Sequence, residues 1–325
     1  MSASAPHFSV IVPVHNQAVA LGGALRSVLA QSCQDFEIIV VDDGSSDDPA
    51  RIVAGFDDPR IRFLRQSHQG GGAARNAGID AARGRFIAPL EAGDVFLPHH
   101  LESMQTLLEG TRNTVGYARI VVDRGQGRTS LRPSRALRKD ENMGEYLLCE
   151  GGFVPITTLV VDRLLARRVR YNTQLRAAEG TDFAFRLWLA GCKFLMAGKP
   201  GAVWNQTSDL HQPSSPGPSL RTQRFGLWLE QMKPHMTRRA WVGGRGWALA
   251  KMVARDGNRQ EALKLCLDAF LRGCYGPRLA PVVFLQVCLD AARYRKLADM
   301  TTAWLHFGPR ERVEKAAPLA SLKNA

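Results

Sequence analysis

Apolar positions along this chain follow two alternating spacings. Residues 8–14 (FSVIVPV) and 36–41 (FEIIVV) are short β-branched runs with few polar breaks, which predicts strands buried on both faces. Between them Leu21, Leu25, Val28 and Leu29 recur at i, i+4, i+7 and i+8, one face of a helix over residues 19–30. Residues 61–64 and 85–90 read as two further strands, separated by a small-residue-rich helix over 70–82. A helix over 97–108 follows, with Pro98 in its first turn. Pro13 lacks an N–H and is expected to end the first strand's ladder. Strands alternating with helices predict a mostly parallel sheet flanked by helices. In such sheets ligands bind beyond the carboxyl ends of the strands. His15-Asn16, Asp42-Asp43 and the cluster from Glu91 to Asp94 all follow strands in this way.

Further along, residues 115–122 and 153–161 predict strands, 125–138 a basic loop, and 182–190 a helix closed by Gly191. The breaker-rich run 211–218 (HQPSSPGP) reads as a linker. Residues 241–307 read as all-helical, with turns at 256–258 and 275–277 and a helical hairpin over 248–272. The expected organisation is an α/β domain over 1–220 and a helical C-terminal region over 221–325.

Composition narrows the class. The longest apolar stretches fall well short of the ~20 residues of a spanning helix, and residues 1–7 lack the basic start and apolar core of a secretory signal. The six cysteines form no CxxC pair, which favours free thiols in a reducing cytosol over a metal cluster or disulfide framework. Charge is divided unevenly. Residues 1–121 carry 10 Lys/Arg against 13 Asp/Glu, whereas 122–325 carry 33 against 17. The basic half suits an anionic neighbour such as a diphosphate, an acidic glycan or an anionic membrane, or is simply a solvated basic surface. No aromatic-interleaved reader motif points to nucleic acid.

The block SVIVPVHNQAVALGGALRSVLAQSCQDFEIIVVDDGSSDD, continued by HQGGGAARNAGIDAARGRFIAPLEAGDVFLPHHLE, closely resembles the opening of inverting glycosyltransferases of family 2. AAEGTDFAFRLWLAG (177–191) resembles the family's acceptor-side motif. The resemblance implies a GT-A fold, a nucleotide-diphospho-sugar donor and a glycan or lipid-linked hydroxyl acceptor. It suggests surface polysaccharide or glycoconjugate synthesis in the cytoplasm, with peripheral contact at the inner face of the cell membrane. The alternatives are a degenerate member that binds nucleotide or glycan without turnover, and a membrane-surface scaffold.

Residue by residue, Pro13, His15 and Asn16 would present the first strand's end to a nucleobase, with His15 stacking on it; His15 is otherwise an exposed loop histidine. Asp43 matches the base-contacting aspartate, while Asp42 and Ser45 would either assist or merely close a turn. Arg75, behind the glycines at 70–72, would neutralise part of the diphosphate. Two departures stand out. Where the family carries a DxD run for ribose and a divalent Mg²⁺ or Mn²⁺, this chain has Glu91-Ala92-Gly93-Asp94. Glu91 keeps a carboxylate, Gly93 offers no ligand, and Asp94 is either a metal ligand or part of a turn. Where the motif usually reads Glu-Asp, with the aspartate as base, this chain has Glu179-Gly180. The base is then Asp182 or Glu179, although Asp182 equally suits a helix N-terminus. His211 occupies the place of a late metal-site histidine, or is a linker histidine.

Overall fold

A computed structural model describes residues 5–125, 128–175, 178–206, 218–289 and 293–294. The chain divides into two compact units, one of residues 1–143 and 152–215, the other of 144–151 and 216–325. The second unit thus takes in a short segment from the middle of the first.

The first unit is built on a seven-stranded sheet. Its strands are β1 (Phe8–Val14), β2 (Phe36–Asp42), β3 (Ile61–Arg65), β4 (Phe86–Pro89), β6 (Thr114–Tyr117), β9 (Val160–Asp162) and β10 (Lys193–Met196). They lie in the order β10-β6-β9-β4-β1-β2-β3. β1 pairs in parallel with β2 and β4, and β2 with β3, so their carboxyl ends share one edge. Only β9 runs against its neighbours. A second sheet orders β5 (Val95–Phe96), β11 (Ala202–Asn205), β7 (Ile120–Asp123) and β8 (Thr129–Arg132) as β5-β11-β7-β8.

Helices α1 (Ala18–Leu29), α2 (Pro49–Ala54), α3 (Gly71–Ala81), α4 (His100–Leu108), α6 (Arg163–Val169) and α7 (Glu179–Leu189) complete this unit. α5 (Met143–Leu148) opens the segment that joins the second unit. All seven residues of β1 and of β2 are buried. Leu21, Leu25 and Val28 of α1 pack with them in one core, as the helical spacing predicts.

Four local expectations are corrected. Pro13 remains inside β1, opposite Val41, because only the β4 ladder stops short of it, at Ile11↔Pro89. The apolar run expected as one strand over 115–122 is two, β6 and β7, in different sheets. Residues 153–161 supply only the short antiparallel β9, preceded by a 3₁₀ turn at Ile156–Thr158. The basic loop over 125–138 contains β8, which forms a hairpin with β7.

The second unit holds α8 (Pro218–Met232), α9 (Arg238–Gly244), α10 (Ala250–Arg255), α11 (Arg259–Leu271) and α12 (Ala280–Cys288). Val242, Ala262, Cys266, Ala269 and Val283 form its core. Asn258 caps α11 by accepting from the Glu261 N–H, which closes the hairpin expected over 248–272. Tyr275 donates its hydroxyl to the Gly243 carbonyl at 2.7 Å. The cysteines are all free thiols, and no helix among the described residues is long and apolar enough to cross a membrane.

Candidate active site

The shared carboxyl edge of β1, β2 and β4 carries the polar residues that sequence reasoning singled out. Asn16 leaves β1 in the left-handed region (φ 52). Its side-chain oxygen accepts from the Ser46 N–H at 2.9 Å, while its own N–H donates to Ser45 Oγ at 3.0 Å. Asp42 accepts from the Ser45 N–H at 2.8 Å, closing the turn. These residues fix the loop after β2 against the loop after β1.

Asp43 is 2% exposed and saturated. Oδ1 accepts from Gln66 Nε2 at 2.7 Å and the Gln69 N–H at 2.8 Å. Oδ2 accepts from the Gly70 N–H at 2.7 Å and lies 2.9 Å from His68 Nδ1. A carboxylate has about four acceptor positions, and all four are in use. His68 Nδ1 also faces the Asp43 carbonyl at 3.1 Å; both partners only accept, so this nitrogen carries the proton. Asp43 is therefore the anion seated at the glycine-rich start of α3 in the free protein.

His68 stacks on His15, ring centroids 4.1 Å apart. Burial, and then His68 itself, lower the His15 pKa, so its ring is neutral near pH 7. The His15 ring, stacked at a strand end, presents an aromatic face of the kind a nucleobase can use. His68 and Gln66 were not legible as site residues; the only sequence signal was their place just before the glycines at 70–72.

Arg75 lies on α3 and is 6% exposed. Nη1 donates to Glu179 Oε2 and Nη2 to Glu91 Oε1, each at 2.5 Å, and the guanidinium lies 5.2 Å from the Tyr171 ring centroid. Burial opposes the arginine's charge, but Glu91 and Glu179 outweigh it and raise the Arg75 pKa. The neighbouring Asn76 exchanges two hydrogen bonds with the Tyr171 backbone, at 2.9 and 2.8 Å. Tyr171 in turn stacks on Phe183 of α7 at 4.0 Å. Arg75, Glu91 and Glu179 thus meet although they lie far apart in sequence.

Asp182 stands apart from this group, which corrects its expected role as base. It is fully buried, and both its oxygens accept from Arg186, one turn along α7, at 2.9–3.0 Å to Nε. Arg186 also donates to the Val169 and Arg170 carbonyls at 2.5 and 2.7 Å, tying α7 to the end of α6. Buried and paired in this way, Asp182 suits its alternative role at the helix N-terminus.

Among the described residues the donor set does not fit a divalent metal. Gly93 offers no side chain, and Asp94 turns inward at 3% exposure, accepting from Thr157 Oγ1 at 2.7 Å. Burial, reinforced by Glu91, pushes the Asp94 carboxyl up to about 7. Among the described residues no three of His, Cys, Asp and Glu gather to hold a metal ion. His211 lies outside the described residues.

A glycine-led helix start, a strand-end aspartate and an arginine between carboxylates gather at one edge of a mainly parallel sheet. Residues 9–164 match the Glycosyl transferase family 2 model. The chain carries a family 2 glycosyltransferase domain over those residues. It is 28% identical to the amylovoran biosynthesis glycosyltransferase AmsB of Erwinia amylovora, over 78% of this chain and 87% of that one. It is 32% identical to the GalNAc(5)-diNAcBac-PP-undecaprenol beta-1,3-glucosyltransferase of Campylobacter jejuni, over 54% of this chain and 58% of that relative. Among solved structures, S. aureus TarS 1–349, in complex with UDP-GlcNAc, superposes with a TM-score of 0.55 at 15% identity, covering 93% of each chain. That likeness supports the glycosyltransferase's GT-A fold.

Proposed function

We propose that this glycosyltransferase moves a sugar, with inversion, from a nucleotide-diphospho-sugar to a hydroxyl acceptor in surface polysaccharide or glycoconjugate synthesis. The observation that carries this reading is the meeting of Arg75, Glu91 and Glu179 at the sheet edge that also holds His15 and Asp43. The base stacks on His15, and its imide N–H reaches Asp43 by replacing one present donor, of which the Gln66 amide is the side chain freest to leave. The diphosphate sits against Arg75. The acceptor oxygen attacks the anomeric carbon from the face opposite the diphosphate. The new carbon–oxygen bond forms as the carbon–phosphate-oxygen bond breaks, Glu179 takes the acceptor's proton, and the nucleoside diphosphate departs with the bond pair. Glu91 is the remaining carboxylate at the family's DxD position and faces the ribose.

The acceptor in this reading is a lipid-linked glycan at the inner face of the cell membrane, and attachment there is peripheral. The excess of 33 Lys/Arg over 17 Asp/Glu in residues 122–325 and the undecaprenol-linked substrate in the Campylobacter relative's name support it. Thermal shift with UDP-, GDP- and dTDP-sugars tests the donor, since a ligand at a hundred times its Kd stabilises by ~2.7 kcal/mol. No stabilisation by any of them defeats the reading. Gly93 and Gly180 favour a second reading, nucleotide binding without turnover. Sugar transfer to a lipid-linked acceptor, or slow donor hydrolysis, rejects that one.

A further inference from the structure

We propose that Arg75 is a latch: it holds Glu179 until a diphosphate claims the guanidinium, so that the base is freed only when the donor is in place. The inference rests on the donor reading above. The guanidinium is shared by two carboxylates from different parts of the fold. Glu91 follows β4 on the donor side of the site, and Glu179 is the first residue of α7. Both bonds are short and charge-assisted, the strong class of hydrogen bond. Any bidentate grip on a planar guanidinium must include Nη1 or Nη2, and here each already serves a carboxylate. The remaining nitrogen, Nε, is buried without a partner.

The charge count points the same way. Two carboxylates already exceed the one guanidinium, so an arriving diphosphate must displace one of them or sit beside uncompensated like charge. Glu179 is the one whose release has a use. While bonded to Arg75 its Oε2 is held on the guanidinium; once released, the whole carboxylate is free to turn toward the acceptor hydroxyl and take its proton. The glycine run permits this closure. A Cβ on Gly71 would stand 3.1 Å from Arg75 Nη1 and 3.3 Å from Glu179 Oε2, against the latch itself. Tyr171, bonded through its backbone to Asn76 and stacked on Phe183, fixes α3 to α7. Opening therefore moves side chains and leaves the helices in place.

The test is calorimetric titration with UDP and with inorganic diphosphate on four proteins: wild type, Glu179→Gln, Arg75→Gln and the double variant. A latch closed nine-tenths of the time weakens ligand binding about tenfold, so Glu179→Gln should tighten both ligands by up to about that factor. In the Arg75→Gln background the same change should alter affinity by less than about twofold. Equal gains in both backgrounds would indicate plain charge repulsion and overturn the latch, as would no gain in either. Arg75→Lys, which keeps a charge but loses the fork, takes the place of Arg75→Gln if that variant does not fold. Wild-type protein that binds inorganic diphosphate but not UDP leaves the latch testable and counts against the uridine donor. Protein that binds neither overturns the donor reading and the latch together.

Discussion

Ile156 stands where a side chain at position 180 would go: a Cβ on Gly180 would lie 2.3 Å from Ile156 Cγ1 and 2.6 Å from Cδ1. The missing aspartate of the acceptor motif is therefore a packed substitution, and no gap remains in its place. Gly180→Asp alone should destabilise the protein by ~1–3 kcal/mol through overpacking. Combining it with Ile156→Ala should recover much of the loss. Urea melts of the three proteins check this, and a single Gly180→Asp as stable as wild type would show that Ile156 moves aside freely.

The same comparison separates the two carboxylates on α7. Asp182→Ala leaves Arg186 partly buried without its partner and should cost ~3–5 kcal/mol of stability. Glu179→Gln should leave the melt nearly unchanged, lower kcat by ~10²–10⁴ and leave nucleotide affinity no weaker. If Glu179→Gln turns over at the wild-type rate, the proton goes elsewhere.

Much of this was written in local patterns. The apolar runs of β1 and β2 and the i, i+4, i+7 spacing of α1 locate the sheet edge, and the DD turn and Arg75 fall on it as expected. What stayed hidden depends on contacts distant in sequence. The change of sheet at Ala118-Arg119 stayed unread because the run is buried on both sides of it, through all four residues of each strand, and so reads as one buried strand. The fit of Ile156 to Gly180 joins positions 24 apart. One signal was present and passed over: Asp182 and Arg186 are four apart on a helix, the spacing of an ion pair.

In the proposed donor site Asp43 would couple loop order to nucleotide binding, since it accepts from the Gln69 and Gly70 N–H groups. Asp43→Ala should weaken UDP binding by ~1.5–3 kcal/mol and also lower the melting temperature. Asp43→Asn, which keeps one acceptor oxygen, should lie between. UDP calorimetry with parallel melts reads both effects, and unchanged affinity in folded Asp43→Ala protein would remove it from base recognition.

Chelation should leave part of the activity intact, because Gly93 supplies no ligand and Asp94 faces Thr157. Gly93→Asp should raise the affinity for Mn²⁺. Complete loss of turnover in EDTA, restored by Mn²⁺, would mean that Glu91 recruits ligands from outside the described residues.

Asp94 gives the stability a pH dependence whose sign can be worked out. Its carboxyl titrates near 7 in the folded protein, raised by burial, against ~3.9 in an unfolded chain. Between those values the folded protein holds a proton that the unfolded chain has released. Stability then falls as pH rises through the window, and Asp94 contributes a loss of roughly 4 kcal/mol across all of it. His100, pushed down to about 3 by burial, and His7 and His15, lowered mainly by burial, act in the opposite direction below the ordinary histidine range, so the bare pH profile mixes them with Asp94. Asp94→Asn isolates the carboxyl: the amide oxygen still accepts from Thr157 but does not titrate in this range. The stability difference between wild type and Asp94→Asn, from urea melts at about pH 5 and about pH 7.5, should shift against wild type as pH rises. An unchanged difference would mean that Asp94 is ionised in the folded state and that its free oxygen, Oδ1, has found water or a cation.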